Sequence, residues 1–222
     1  MRRIPEPLLA KMAAQLSAHD RDEMAIPSYR HRNPAMRWMA WHRVEVVSAR
    51  LAELCWEKPR SKTAILDFGC GTGVLLGEAS RSAVRVVGVD PVLASARLLV
   101  KQWQLAVELL TPEAASEELA PATFDIVIAA EVLEHVDPLA PTLGLLRKWL
   151  KPGGSLLVSL PTENALYRTG RFLAGFRGDY HHHDAAAIHD AIKQSGFEPR
   201  SRREIPLPGP GAIYWVVDYV RS

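Results

Sequence analysis

The sequence predicts an α/β fold built around a mostly parallel sheet. Three observations lead to this class. First, an apolar run at 64–68 ends in a glycine-rich turn. Second, another apolar run lies at 84–89, and the residues between the two runs are enough for one helix. Third, two later apolar runs lie at 124–130 and 155–161. Continuous apolar strands that alternate with helices are typical of parallel sheets covered on both faces.

Composition limits the class of protein further. The chain has 222 residues, of which 48% are hydrophobic, and a formal net charge of +2. One core of that size is expected, and the charge balance argues against a nucleic-acid partner. Cys55 and Cys70 have neither metal-type nor disulfide-type spacing, which is typical of a reducing compartment. With no signal-peptide core and no apolar run of transmembrane length, we expect a cytoplasmic protein.

The first strand ends in the turn Asp67-Phe68-Gly69-Cys70-Gly71-Thr72-Gly73. Glycine at every second position lets the backbone approach a bound group closely, because no Cβ intervenes and positive φ costs little. The third glycine of the dinucleotide fingerprint is missing, since Val74 and Leu76 stand where it would fall. A carboxylate beside the loop also suits a cationic ligand better than a pyrophosphate.

The second strand ends at Asp90, which is followed by Pro91. The spacing from the first loop leaves room for a crossover helix at 74–83. Open α/β sheets bind ligands at the carboxyl ends of their strands, where an acid can accept hydrogen bonds from both ribose hydroxyls. Together with the glycine loop, Asp90 favours an adenosyl cofactor.

Over residues 64–161 these segments resemble class I S-adenosylmethionine-dependent methyltransferases. In motif style they are most similar to the O-methyltransferases of ubiquinone biosynthesis. The resemblance includes the segment 131–138 after the third apolar run and the Pro152-Gly153-Gly154 turn. It implies S-adenosylmethionine as cofactor and a Rossmann-like, doubly wound sheet of seven strands with a reversed last strand. The cofactor-binding residues that it implies are Asp67, Gly69, Cys70, Gly71, Gly73, Asp90, Pro91 and Glu131. The acid expected after strand three has no clear counterpart here, and Glu113 is the nearest.

Two catalytic candidates, Glu134 and His135, follow the third apolar run. With Glu131 they stand at i, i+3 and i+4, so a short helix would put all three on one face. In the ubiquinone-type enzymes the matching residues are associated with a divalent metal, and the resemblance implies that role here. A metal, a general base at His135 and a structural role all stay open, and the sequence allows a metal without favouring one.

Residues 1–60 are predicted to form an N-terminal helical cap on a methyltransferase domain at 61–222. Asn33-Pro34 has the pattern of an N-cap followed by proline at the first helical position, so a helix is expected at 34–57. Its arginines are either solvated or face the mouth of the substrate site. Tyr29 and Trp41 are the substrate-binding candidates of this segment.

The connection at 162–184 is longer than an α/β unit needs, which is typical of a lid or binding segment. Its substrate-binding candidates are Tyr167, Arg168 and His182. Its arginines alternate with aromatic residues, so peripheral contact with a membrane is an alternative to an ordinary mobile lid. Asp184 is expected to cap a helix at 185–195.

The sequence thus predicts methyl transfer to a small or lipid-like acceptor at a hydroxyl oxygen. The alternative is a cofactor-binding protein of the same fold without methyl transfer, either a regulatory partner or a cyclase-like enzyme. The sequence determines neither the acceptor nor the oligomeric state.

Overall fold

The structure is a computed structural model that describes residues 1–17, 20, 24–56, 58–162, 164 and 183–222. Its strands are β1 (Ala64–Phe68), β2 (Arg85–Val89), β3 (Glu108–Leu110), β4 (Phe124–Ala130), β5 (Leu150–Pro161), β6 (Phe197–Pro206) and β7 (Ala212–Arg221). They form one sheet in the order β3-β2-β1-β4-β5-β7-β6. Strand β7 is antiparallel to both β5 and β6, whereas β1 and β3 run parallel to β2, and β4 runs parallel to β5. The predicted Rossmann-like fold with a reversed last strand is confirmed.

Helices separate most of the strands along the chain. They are α1 (Glu6–Gln15), α2 (Ile26–Tyr29), α3 (Pro34–Trp56), α4 (Leu76–Ser82), α5 (Ala94–Trp103), α6 (Pro112–Glu118), α7 (Leu139–Trp149) and α8 (Ala185–Gln194). Short 3-10 turns lie at Arg60–Lys62, Leu133–His135 and Gly209–Gly211. In the described residues, no helix combines the length and the apolar character needed to cross a membrane.

The chain divides into two compact units, Met1–Leu119 and Ala120–Ser222. The first unit holds β1–β3 and α1–α6. In it, α3 packs against α4, and α1 packs against α5. Ile65, Leu66 and Val87 have no exposed surface, as expected for strands covered on both faces. The β1–β2 register places Asp67 opposite Gly88, so the predicted loop acid lies on the sheet one residue before β1 ends.

The second unit is built on β4, β5 and β7. Residues 126–129 of β4 have no exposed surface, and Phe124 at its start and Trp149 at the end of α7 are also buried. Helix α8 begins where Asp184 Oδ1 accepts a hydrogen bond from the Ala187 amide at 2.8 Å. This helix contacts the Leu133–His135 turn, so it helps to position the segment that follows β4.

Gly88 on β2 lets the glycine loop lie close to the sheet. A Cβ at this position would be 2.9 Å from Leu109 Cδ2 and 3.1 Å from Cys70 Sγ. We therefore expect Gly88→Ala to lower the free energy of unfolding by about 1–2 kcal/mol through overpacking. Urea denaturation measures this change.

Gly144→Ala is the matched control, because an added Cβ there meets nothing within 4 Å. Gly144 is exposed on α7, where alanine is the better helix former, so this variant should gain about 0.5–1 kcal/mol. Equal changes in the free energy of unfolding of the two variants would contradict close packing at Gly88.

Candidate functional site

The glycine loop at 69–73 follows β1 and is tied to the end of β2. The amides of Gly69 and Cys70 donate to the Val89 carbonyl at 2.8 and 3.0 Å. The φ angles of Gly69, Gly71 and Gly73 are 75°, 49° and 79°. These left-handed values explain why the sequence needs glycine at three alternate positions.

Asp90 holds the middle of this loop. Its Oδ2 accepts a hydrogen bond from the Gly71 amide at 2.8 Å, and its Oδ1 accepts one from the Val92 amide at 2.9 Å. A carboxylate has about four acceptor directions, so each oxygen can accept one further donor. Burial raises the pKa of Asp90, and the two backbone hydrogen bonds partly offset that rise.

Asp67 is the second carboxylate of this site and is only 2% exposed. Burial and, to a smaller extent, the charge of Asp90 together raise its pKa from an ordinary value of 3.8 to about 7. Two carboxylates in one buried region favour a cation, which would stabilise the ionised form of Asp67.

Space beside the loop is open at Gly71. A Cβ added there would meet nothing within 4 Å, whereas one at Gly73 would lie 3.1 Å from Leu76 Cδ1. Cys70 is buried, with Sγ near Gly88, and burial raises the pKa of its thiol. Pro91 is exposed. The residues from Asp67 to Asp90 thus lie together in the first unit, with Gly71 on an open side.

Tyr29 and Trp41 also lie together. Their rings stack at 4.3 Å between centroids, and both side chains are buried. They line a cavity of about 430 Å³ together with Arg3, Arg30 and Arg37. Arg3 pairs with a carboxylate of Glu45 at 2.6 Å and Arg30 with Glu6 at 2.7 Å, whereas Arg37 donates to the His31 carbonyl at 3.0 Å.

Sequence reasoning considered Arg37 only as one of the helix's arginines, without naming it as a substrate-binding residue, and did not select Arg3. Arg37 stands four residues before Trp41 on the same helix, so the i, i+4 spacing was a usable signal. No local pattern connects Arg3 to the cavity. The expectation that the arginines of this helix are solvated is wrong for Arg43. Its side chain is only 8% exposed, because Arg43 lies on the same helix face as the buried residues Ala40 and Val47.

The segment after β4 differs from the predicted helical face. Glu131 adopts a φ of 55°, and its amide donates to the Ser159 carbonyl at 3.0 Å. The 3-10 turn includes only Leu133–His135, and it buries Glu134 to 1% exposure while His135 is exposed. The three side chains therefore do not share one helix face. Within the described ranges, no three His, Cys, Asp or Glu residues are grouped so that they could hold a metal ion.

Three substrate-binding candidates, Tyr167, Arg168 and His182, lie outside the described residues, as does most of the predicted lid. Glu113 lies in the first turn of α6 and is exposed. Backbone and Thr111 hydrogen bonds lower its pKa.

Comparison with known proteins places this geometry in a family. A family model described as a methyltransferase domain matches residues 40–202. A ubiquinone biosynthesis O-methyltransferase of Bradyrhizobium sp. (strain ORS 278) is 38% identical over 104 residues, which are 45% of this chain and 40% of that protein. The matched part spans 31–53% of the length of the curated relatives.

Two solved structures share the fold. Magnesium protoporphyrin IX methyltransferase from Synechocystis PCC 6803, solved with bound SAH, has a TM-score of 0.69 at 17% identity and covers 96% of this chain and 99% of its own. The [4+2]-cyclase SpnF has a TM-score of 0.66 at 17% identity, covering 97% and 91%. The fold is therefore compatible with more than one reaction. Because the family model matches most of the chain, from α3 to β6, the protein belongs to the methyltransferase-domain family.

Proposed function

We propose that the protein binds S-adenosylmethionine and transfers its methyl group to a hydroxyl oxygen of a small or lipid-like acceptor. Family membership supports methyl transfer, and the name of the 38% identical relative supports oxygen as the methylated atom. The observation that carries the proposal is the glycine loop held by Asp90 with an open side at Gly71. We further propose a cytoplasmic protein in which residues 1–60 cap the substrate mouth and 162–184 form a lid.

The residues of the first unit fit this cofactor. Each carboxylate oxygen of Asp90 accepts one backbone hydrogen bond and can accept another from a ribose hydroxyl. The buried carboxylate of Asp67 can pair with a cation. The backbone of Gly69, Cys70, Gly71 and Gly73 would border the methionine part, while the Cys70 thiol stays buried against β2. We assign Pro91 and Glu131 to the adenosyl side on the resemblance alone. When bound, S-adenosylmethionine supplies a methyl group already activated by the sulfonium charge.

The chain's own contribution to the reaction is orientation and proton transfer. Holding an acceptor in line with the transferred group and excluding water can supply most of the acceleration. A hydroxyl acceptor must also lose its proton, and we propose His135, which is exposed, as the base. Glu134 is buried beside it in the same turn, which suits a positioning role better than direct proton transfer.

The acceptor is proposed to contact the Tyr29–Trp41 cavity. Two stacked rings beside guanidinium groups would suit a planar or partly apolar molecule with a polar edge. Binding without methyl transfer is the competing proposal, since a cyclase shares the fold. The relative that is 38% identical over 45% of this chain is a named O-methyltransferase, whereas the cyclase shares only the fold, so we favour transfer.

Calorimetric titration tests cofactor binding directly. S-adenosylmethionine and its demethylated product should bind with affinity in the micromolar range, about −8 kcal/mol, and NADH should not bind. Gly71→Ala should lower the affinity for both adenosyl ligands at least tenfold, because the added methyl group would occupy the open space beside the loop.

Gly153→Ala is the matched control for that variant. Gly153 lies in the second unit, with a φ of 70° and open space around it, so alanine there meets the same kind of backbone strain outside the glycine loop. Both variants should lose about 1 kcal/mol of stability. NADH binding, or equal effects of the two substitutions on ligand affinity, would contradict the proposal.

The raised pKa of Asp67 predicts a pH dependence of binding. A cationic ligand prefers the ionised carboxylate, so affinity for S-adenosylmethionine should fall as pH drops below about 7 and binding should release a proton there. Titration in buffers of different ionisation enthalpy measures that release. Asp67→Asn should abolish it, while Asp125→Asn, which lies in the second unit, should leave it unchanged.

The same pKa has the opposite consequence for stability. Between pH 3.8 and about 7 the native state binds more protons at Asp67 than the unfolded chain does, so this residue's contribution to stability decreases as pH rises through that range. Asp67→Asn should therefore raise the free energy of unfolding at pH 8 and change it little at pH 4. Thermal denaturation at the two pH values measures the difference. A destabilised variant at pH 8 would show that ionised Asp67 is well accommodated without ligand.

His135→Ala tests the proposed base. A general base contributes about 10²–10⁴-fold, so kcat should fall by that order while cofactor affinity stays nearly constant. If the variant loses cofactor affinity in step with activity, His135 has a structural role instead.

A further inference from the structure

We propose that a groove at the amino ends of β1, β2 and β3 binds a soluble anion that carries two or more phosphate groups. The residues that line this groove, the arginine groove, include Arg2, Arg60, Arg81, Trp103, Gln104 and Leu105. Its volume is about 1120 Å³. The inference does not depend on the methyl-transfer proposal, because no lining residue belongs to the glycine loop and neither Asp67 nor Asp90 lines the groove.

The arginine groove lies at the edge of the sheet opposite to the glycine loop. Arg60 precedes β1, Val84 directly precedes β2, and Leu105 lies between α5 and β3. The three strands run parallel, so the segments that precede them meet at one edge. The Val84 amide donates to the Thr63 carbonyl at 3.0 Å, which joins the segments before β1 and β2. The glycine loop and Asp90 follow β1 and β2 at the other edge, so the groove is a separate site.

The lining of the arginine groove is cationic. It contains three arginines and neither aspartate nor glutamate. Arg81 pairs with Glu78, which does not line the groove. In the part of the chain that the structure describes, no carboxylate pairs with Arg2 or Arg60. Like charges that line one groove repel each other, so an anion bound beside them is favourable.

Other contacts hold these two arginines in place. Arg60 Nη2 donates to the Ser80 carbonyl at 3.0 Å, and the Arg2 guanidinium lies over the Trp103 ring, 4.7 Å from its centroid. Trp103 packs closely on α4, because a Cβ added to Gly77 would be 2.8 Å from its Cζ3. A guanidinium has five N–H donors in a planar fork that matches phosphate oxygens. Both groups therefore keep donors for a ligand while the protein sets their position.

Two further donors in the walls of the groove have no hydrogen-bond partner among the described residues. They are Nε1 of Trp103 and Oγ of Ser80, and both atoms are buried. Buried donors in proteins are normally hydrogen-bonded. Together with the arginines, these donors favour a ligand that has several acceptor oxygens.

A polyphosphate fits the arginine groove better than a single phosphate does. The three arginines come from separate segments, which are the chain before α1, the Arg60–Lys62 turn and the end of α4. A chain of phosphates has oxygens along its length, so one ligand can contact more than one guanidinium, each by charge-assisted hydrogen bonds. Val84 and Leu105 can border an organic group attached to the phosphates. S-adenosylmethionine carries no phosphate, so the ligand of this groove is a different molecule.

Calorimetric titration of the full chain with inorganic tripolyphosphate tests the proposal. One ion should bind per chain, at least about tenfold more tightly than orthophosphate at the same ionic strength, and added salt should weaken binding. No lipid is present in this titration, so binding assigns the groove to a soluble anion. Arg60→Gln should lower the affinity about tenfold, because charge-assisted hydrogen bonds are lost.

Arg97→Gln is the matched control. Arg97 is exposed on α5 and does not line the groove, so removing its charge should change the affinity by less than about twofold. Gly71→Ala alters the glycine loop at the other edge of the sheet and should leave tripolyphosphate binding unchanged. Failure of this proposal is therefore distinguishable from failure of cofactor binding. Circular dichroism of each variant establishes that it is folded.

Four results would overturn the proposal. No binding of tripolyphosphate at millimolar concentration would exclude the site, and equal affinities for tripolyphosphate and orthophosphate would exclude a polyphosphate ligand. Equal effects of Arg60→Gln and Arg97→Gln would show that net charge, rather than the groove, attracts the anion. Arg60-dependent binding of single-stranded RNA without binding of tripolyphosphate would assign the groove to nucleic acid instead.

Discussion

The hydrogen bond from the Gly71 amide to the Asp90 carboxylate is the contact on which the candidate cofactor site depends. It joins the loop after β1 to the residue after β2, at 2.8 Å. Parallel pairing of β1 with β2 brings these two strand ends to the same edge, and Gly88 keeps the space between them free of a side chain. Loop conformation, carboxylate position and the open side at Gly71 all follow from this arrangement.

The same arrangement places two carboxylates, Asp67 and Asp90, in one buried region. Asp67 and Asp90 are both buried, and the pKa of each is raised by burial. Because its pKa is raised to about 7, ionising Asp67 at neutral pH and above lowers the stability of the native state. The cost is consistent with a site organised for a cationic ligand rather than for stability alone, as expected where sequence choices serve binding.

The fold and the family were predictable from sequence because their signals are local. Asn33 caps the helix that begins at Pro34, accepting a hydrogen bond from the Ala35 amide at 2.9 Å, and Asp184 caps α8 in the same way. The bond between Gly71 and Asp90 spans 19 residues and depends on strand register, which no local pattern reports. Burial of Glu134 beside an exposed His135 depends likewise on a 3-10 turn where a helix was expected. The roles of individual site residues remain predictions.

Transfer of a labelled methyl group tests the central claim most directly. The protein would be incubated with methyl-labelled S-adenosylmethionine and a metabolite extract, and products would be identified by mass spectrometry. We expect one small or lipid-like product to carry the label on an ether oxygen, with labelling lost in Asp90→Asn. Tight binding of the cofactor without any labelled product, across extracts that include lipid fractions, would contradict methyl transfer and favour a protein that uses this fold for binding or cyclisation.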